Sequence, residues 1–564
     1  MLSTEVIIVG AGPVGATLAC ELGTRGIRTI VIEERTTASE HPKATLLGAR
    51  SMEYFRRWGL VPSIYANALP NDAPYVISFS TRLAGEELYR VTSPSINDTW
   101  KRNLAATEKF RELQWSPYGK TQIGQSQLEP IIWNFAQTLP SVDIKLGHLL
   151  QSFQQSHDHV HVTATDVQTG QIVEVQAPFL VACDGGGSFV RRQSGIGYMG
   201  RGAMRANMSF YFESEDFLKV HGKGLGNLYF CFATDSFGVF TAINGRDLWN
   251  YQYYFLNDKK STENLDYQEI LFRAVGKPFQ YKLKATQHWH HHQSVAKNWR
   301  VGLNPLDSKN GRIFLAGDAA HLFAPTGGVG MNTGIGDAVD LGWKLAEFLR
   351  GRGAEGLLAS YEIERKPIAI RNSVISANNS DKIDMVMAET SAIIDQEGED
   401  AKLCRQQLTE KIKWMSRQFS SAGTHLGYRY VDSPVIAYDG TYEPPDDPSQ
   451  VIPTTWPGSR APHAWLTNHR NGLDVSTLDW FKQGWTLICA TQDHSSSTEC
   501  HQLKKAFADQ KIELVIITLD NDTVRALYER KFVLVRPDGH VAWRGHVMHQ
   551  SPDLLVKKIT GQVL

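Results

Sequence analysis

The sequence predicts an α/β fold with more than one domain: a Rossmann-like dinucleotide-binding domain interleaved with a mixed β-sheet domain, and a further α/β unit at the C-terminus. Three observations carry this prediction. Residues 5–33 read as strand, glycine turn, helix and strand; residues 312–349 repeat the order strand, glycine-rich turn and helix; and a stretch dense in Pro, Gly and Asp at 431–460 precedes a last unit in which strand and helix text alternate. At 564 residues two or three domains of about 100–200 residues each are expected.

Taken in order, EVIIV at 5–9 is a short apolar strand, GAGPVG a tight turn, ATLACELGTRG a helix and TIVIE the next strand, which together make a βαβ unit. Residues 75 to 120 read as mixed and loop-rich, with PSIND and SPYGK as breakers, and a helix is predicted over 125–138. Alternation in HVHVTATDV and IVEVQAPFLVACDGGG predicts antiparallel strands returning to the sheet near Asp184. From 200 to 290 the text is strand-like and aromatic, as in NLYFCFATDSFGVFTAI and DLWNYQYYFL, which predicts a separate sheet with one face over a pocket. Helical text runs through LGWKLAEFLRG and again from 367 to about 420.

Composition narrows the function. With 58 basic against 59 acidic residues and no Lys/Arg block, nothing would track a phosphate backbone, so nucleic acid is not expected as a partner. Six cysteines without a CxxC pair or a His/Cys metal spacing fit a reducing, cytoplasmic setting and no metal site. No window approaches the roughly 20 apolar residues of a bilayer span, and the N-terminal apolar run is too short for a signal peptide, so no membrane partner is expected. The four histidines His288, His290, His291 and His292 alternate between the faces of a strand and have no Cys or acidic companions, which argues for a strand or loop and against a metal cluster.

In Gly10-Ala11-Gly12-Pro13-Val14-Gly15 the first glycine permits the turn, the second lets a pyrophosphate approach the backbone and the third lets helix pack on strand. Glu33 closes the following strand 18 residues after Gly15, where a carboxylate can hold ribose hydroxyls; Glu34 is its neighbour, and strand alternation favours only one of the two. The fingerprint alone does not separate NAD from FAD.

Two further strings decide between them: LVACDGGGSFVR at 180–191 and FLAGDAAHLFAPTGGVGMN at 314–332. With the N-terminal fingerprint, they make the chain resemble the single-component flavoprotein aromatic hydroxylases of the p-hydroxybenzoate and phenol hydroxylase type. The resemblance implies FAD as cofactor, with Gly317 and Asp318 at its ribityl chain and the turn of Pro325, Gly328, Gly330, Met331 and Asn332 under the isoalloxazine. It implies that Asp184, Gly185 and Arg191 serve FAD and the nicotinamide, that Gln125 touches the flavin, and that Arg35, Lys43 and Arg50 reach phosphates and the mobile flavin. It further implies NADH or NADPH as a transient reductant, O2 as co-substrate, and hydroxylation of a phenolic or polycyclic aromatic through a flavin C4a-hydroperoxide. A Baeyer–Villiger or epoxidising monooxygenase, and a non-catalytic FAD-binding redox protein, are the alternatives. No WxWxIP string supports a halogenase.

On this reading the FAD-binding domain takes 1–75, 105–190 and 290–370, the substrate domain 76–104 and 191–289, a helical segment 371–430 and a linker 431–460. Residues 461–564 resemble the thioredoxin-like C-terminal domain of phenol hydroxylase through PGSRAPHAWL and LVRPDGHVAWRG; a homodimer is left open. A phenol with a pKa near 10 needs a relay or a positive neighbour to ionise. Tyr229 is the candidate relay by its place in the resemblance, and Tyr253 competes with it among the tyrosines of WNYQYYF.

Overall fold

The computed structural model describes residues 1–98, 115–255, 265–302, 310–467, 474–490, 497–519, 522–548 and 550–563; the expected boundary at 104/105 lies outside them. The βαβ unit forms as read: strand Val6–Val9, helix Pro13–Thr24 and strand Thr29–Glu33. Continuous apolar runs mark strands covered on both faces, and all four residues of Val6–Val9 are buried. They lie inside a six-stranded sheet in the order Arg300–Val301, Ile313–Leu315, Phe179–Ala182, Val6–Val9, Thr29–Glu33, Val142–Leu146. Its inner pairings are parallel and only the first is antiparallel. Helix Pro13–Thr24 packs against the helices Gln125–Gln137 and Gly330–Leu349.

An eight-stranded sheet forms the second layer: His321–Leu322, Lys282–Ala296, Tyr198–Glu213, Leu248–Tyr254, Gly238–Ala242, Leu228–Cys231, Tyr75–Ser80 and Glu87–Ser93. Two of these strands lie in the segment read as loop-rich, because Tyr75–Ser80 pairs with Leu228–Cys231, some 150 residues away in sequence, and local breakers hide such a partner. The strand Lys282–Ala296 continues through residue 290, where the sequence reading places a domain boundary. One face of the sheet packs on a core that includes Phe210, Phe212, Tyr229, Trp249 and Tyr251. The long helix Glu355–Ala388 and the helix Glu399–Ser416 cover other parts of it, Ile383, Leu408 and Met415 meeting Phe79 and Phe230.

After an irregular stretch the chain forms a four-stranded sheet in the order Leu514–Thr518, Trp485–Cys489, Phe532–Val535, Val541–Gly545, with helices Ser497–Asp509 and Pro552–Ile559. The first pair is parallel and the other two are antiparallel. This unit is joined to the rest by buried charge. Arg536 reaches Glu364 at 2.6 Å, Asp340 at 3.0 Å and Asp538 at 2.6 Å, and Lys344 completes the cluster by pairing with Asp340 and Glu364. A second contact sets Glu53 between Arg50 and Arg460, and Arg56 pairs with Asp479 at 2.6 Å.

Candidate active site

A cavity of 940 Å3 runs from the glycine turn after strand Val6–Val9, past Asp184 and Asp318, to one face of the eight-stranded sheet. The three fingerprint glycines divide the work by geometry. Gly10 has φ +95° and any Cβ there would meet the Cys183 carbonyl at 2.4 Å; at Gly15 a Cβ would lie 1.9 Å from the Gly10 carbonyl; at Gly12 nothing lies within 4 Å. The turn is therefore closed where it packs and open on the cavity side, beside the N-terminus of helix Pro13–Thr24, where backbone N–H groups favour an anion. Val14 lines the cavity and also packs against Gly317 and Gly334, tying this turn to the second one.

Glu33 accepts from the Ala11 N–H through Oε2 at 2.6 Å and from the Arg35 Nε through Oε1 at 2.8 Å, so it braces the turn while facing the cavity. Glu34 and Lys43 are exposed along the same wall, and Arg35 lines it while pairing with Glu129 at 3.2 Å. Gln125 opens its helix at the cavity and donates to Glu129 at 2.7 Å. Asp184 is held by the Val190 N–H through Oδ2, whereas Oδ1 is buried without a partner; burial raises this carboxyl above its usual range. Gly185 and Asp318 line the same space.

The second turn is built by Asn332. Its Oδ1 accepts from the Gly48 N–H at 2.7 Å and the Ser51 hydroxyl at 2.6 Å, and its Nδ2 donates to the carbonyls of Leu46 and Gly328 at 2.9 and 2.7 Å. Asn332 thus lies behind the cavity wall and fixes it, while Pro325, Gly328, Gly330 and Met331 line it. Below Gly317, Asp337 accepts from the Gly317 N–H at 3.2 Å and joins His321 at 2.7 Å and Arg365 at 2.8 Å. Asp337 and Arg365, which carry this support, are residues that the sequence alone does not single out.

Four candidates fall elsewhere. Arg50 is buried, pairs with Glu53 at 2.9 Å and donates to the Asp538 carbonyl at 2.7 Å, so it holds the C-terminal unit and does not reach the cavity. Arg191 stacks on Tyr198 at 3.9 Å and donates to the Ile196 carbonyl, and its neighbour Arg192 lines the cavity in its place. Tyr229 is turned to the far face of the sheet, where its hydroxyl donates to the Gly224 carbonyl at 2.7 Å and its ring meets His221. Tyr253 likewise packs against Phe255 at 5.2 Å. Side chains alternate along a strand, so Leu228 and Phe230, and Gln252 and Tyr254, take the cavity face. Tyr254 lies over the Arg205 guanidinium at 4.1 Å. Of the histidines, His288, His290 and His292 follow one another at 5.1 and 6.5 Å between rings, and His291 turns the other way to Ser380 at 3.3 Å.

The sequence matches the model of the FAD binding domain over residues 3–374 and that of the aromatic-ring hydroxylase C-terminal domain over residues 454–561. The chain belongs to the FAD-dependent aromatic-ring hydroxylases. Among relatives of this hydroxylase, aklavinone 12-hydroxylase RdmE of Streptomyces purpurascens is 30% identical over 96% of this chain and 95% of its own. RebC, a rebeccamycin biosynthetic enzyme solved with 7-carboxy-K252c bound, superposes with a TM-score of 0.86 at 33% identity over 99% of both chains. The flavin-dependent monooxygenase PieE, solved with FAD and substrate, gives 0.86 at 26% identity over 100% of this chain and 99% of its own. The hydroxylase has no helix among the described residues long and apolar enough to cross a membrane.

Proposed function

We propose that the hydroxylase places one oxygen atom from O2 on a phenolic, polycyclic aromatic substrate of polyketide-like size, with NADH or NADPH as the reductant. The single observation that carries this reading is the continuity of the 940 Å3 cavity, which joins the FAD-domain turns to an aromatic and amide-bearing sheet face. A relative that acts on aklavinone and a structural neighbour that binds 7-carboxy-K252c point to fused rings of that kind.

The residues present fit FAD. The open face of Gly12 and the helix start at Pro13 suit the pyrophosphate, Glu33 the ribose, Asp318 the ribityl chain, and the backbone N–H groups opening helix Gly330–Leu349 the negative charge of a reduced flavin. The buried, unpartnered Asp184 Oδ1 would gain a donor there. Bound FAD would supply the redox chemistry that couples NADH or NADPH to O2. The protein excludes water and orients the ring through Tyr75, Phe230 and Trp289. Burial raises the Tyr75 phenol, and it raises that of Tyr254 against the opposing pull of Arg205, so both stay protonated at neutral pH and serve as hydrogen-bond donors to a substrate oxygen rather than as bases. The C-terminal sheet has the strand order and the single reversed strand of a thioredoxin-like domain, which supports that assignment; without a CxxC pair it has no thiol–disulfide exchange by that route, and a structural or oligomeric role fits.

The test is a panel of phenols, benzoates and fused-ring aromatics assayed for stimulated NADH and NADPH oxidation, with products weighed by mass spectrometry. Stimulation with a product one oxygen heavier is expected. Oxidation that no aromatic stimulates and that yields only hydrogen peroxide would sink the reading.

A further inference from the structure

We propose that Lys120, the Gln418 side-chain amide and the Ser421 hydroxyl form a polar subsite in the cavity wall that takes a negatively charged oxygen of the aromatic substrate, a carboxylate or a phenolate. The inference rests on the aromatic-hydroxylase reading and adds what the ring system must carry. All three residues line the cavity, although Lys120 is about 300 residues from the other two in sequence. They meet because the segment after helix Glu399–Ser416 passes over the strand Tyr75–Ser80, where Phe419 contacts Phe79 and Phe230 with ring centroids at 6.1 and 5.9 Å.

Lys120 uses one of its three donors, on the Phe419 carbonyl at 2.6 Å, and its ammonium lies 5.6 Å from the centre of the Tyr75 ring. Among the described residues no carboxylate pairs with it. Two titratable groups feel it, Tyr75 through its ring and His425 through its charge; burial brings the Lys120 ammonium down to about 8 and keeps His425 neutral at physiological pH. An ammonium in such a place loses water and gains no counter-ion, which an anionic oxygen would supply. Both amide atoms of Gln418 and the hydroxyl of Ser421 are also buried without a partner. Buried polar atoms are ordinarily satisfied, and here two unsatisfied donors, Gln418 Nε2 and the Ser421 hydroxyl, share one wall with an unpaired cation. Phe230, Phe419 and Tyr75 supply the apolar sides between which a flat ring edge would lie.

The experiment titrates the FAD-loaded enzyme with four ligands and follows the absorbance of the bound flavin: hydroxynaphthoate, its methyl ester, methoxynaphthoate, and methyl methoxynaphthoate, which has neither acidic group. In the wild type, a ligand with the recognised oxygen should bind more tightly than the doubly blocked one. Lys120→Met should weaken that ligand by about 10–100-fold, the range of a charge-assisted hydrogen bond. It should leave the doubly blocked ligand within about twofold, and Lys120→Arg should restore most of the loss. Gln418→Ala should act in the same direction and less strongly. Loss confined to the ligands that keep a carboxylate identifies one source, and loss confined to those that keep a free hydroxyl identifies the other. Four ligands that behave alike in the wild type, whether they bind or not, or an equal loss for all four in Lys120→Met, overturns the subsite. That failure is distinct from failure of the activity reading, which is measured by aromatic-stimulated oxidation of NAD(P)H in the unmodified enzyme.

Discussion

At the scale of single residues, the cavity separates side chains that face it from neighbours one position away. Asp318 opens onto it without a salt bridge in the described residues, so Asp318→Ala should strip much of the FAD from the purified protein, read as the ratio of flavin to protein absorbance. Retention of full flavin would remove Asp318 from the site. Tyr229→Phe should leave substrate-stimulated turnover within about twofold, because the hydroxyl points at Gly224 on the far face, and should lower stability by about 1 kcal/mol for the lost hydrogen bond. Tyr254→Phe, on the cavity face, should reduce turnover without that stability cost; equal effects of both on turnover would contradict the assignment of faces. The aromatic strands were legible in sequence, and the parity of their side chains was not. NLYFCF is apolar on both faces, so alternation gives no sign of which set points inward, and a slip of one residue exchanges Tyr229 for Phe230; in WNYQYYF the aromatics alternate with Asn250 and Gln252, but polarity alone does not say whether the amide set faces solvent or a cavity.

Among elements, the first turn was readable because its constraints are local: a glycine at positive φ, a strand before it and a helix after it are all encoded within ten residues. The second turn was readable as a string, yet the work of Asn332 was not, since its partners Leu46, Gly48 and Ser51 lie almost 300 residues earlier. Asn332→Ala removes four hydrogen bonds that hold the 46–51 segment to the Gly328 turn. It should cost roughly 2–4 kcal/mol, from bonds worth about 1 kcal/mol each, seen as a lower melting temperature and as weaker FAD retention. A variant that keeps its melting temperature and its flavin would show that packing alone fixes the turn. Gly328→Ala tests the same element by another route: φ is +62° and a Cβ would fall 2.5 Å from Leu46 Cδ2, so the loss of flavin should match or exceed that of Asn332→Ala.

For the molecule as a whole, one of the arginines that a cofactor reading claims, Arg50, is an interface residue, and this too was hidden because its partner Asp538 lies nearly 500 residues away in sequence. Burial alone would raise the Glu53 carboxyl, but Arg460 and Arg50 outweigh it and hold it at about 2. An unfolded glutamate titrates at roughly 4.3. The stabilisation from Glu53, on the order of 3 kcal/mol by linkage, is therefore complete above that pH and is lost as pH falls towards 2. Urea midpoints should fall on acidification from pH 5 to pH 3, and Arg460→Met should flatten that fall while lowering the midpoint at pH 7. A wild-type midpoint that stays level across the range would exclude the pair as a contributor. Arg536→Met should cost more, roughly 3–5 kcal/mol, because it leaves Glu364 and Asp340 buried with Lys344 as their remaining cation.

That charge cluster also sets a rule for recombining relatives. Exchanging residues 454–564 between two family members is a cut through Arg536–Glu364 and Arg460–Glu53, so a chimera inherits half of each pair from each parent. Parents that share the acidic halves at 53, 340 and 364 and the basic halves at 460 and 536 should yield folded, yellow chimeras, and parents that differ there should yield insoluble ones, however similar their cavities.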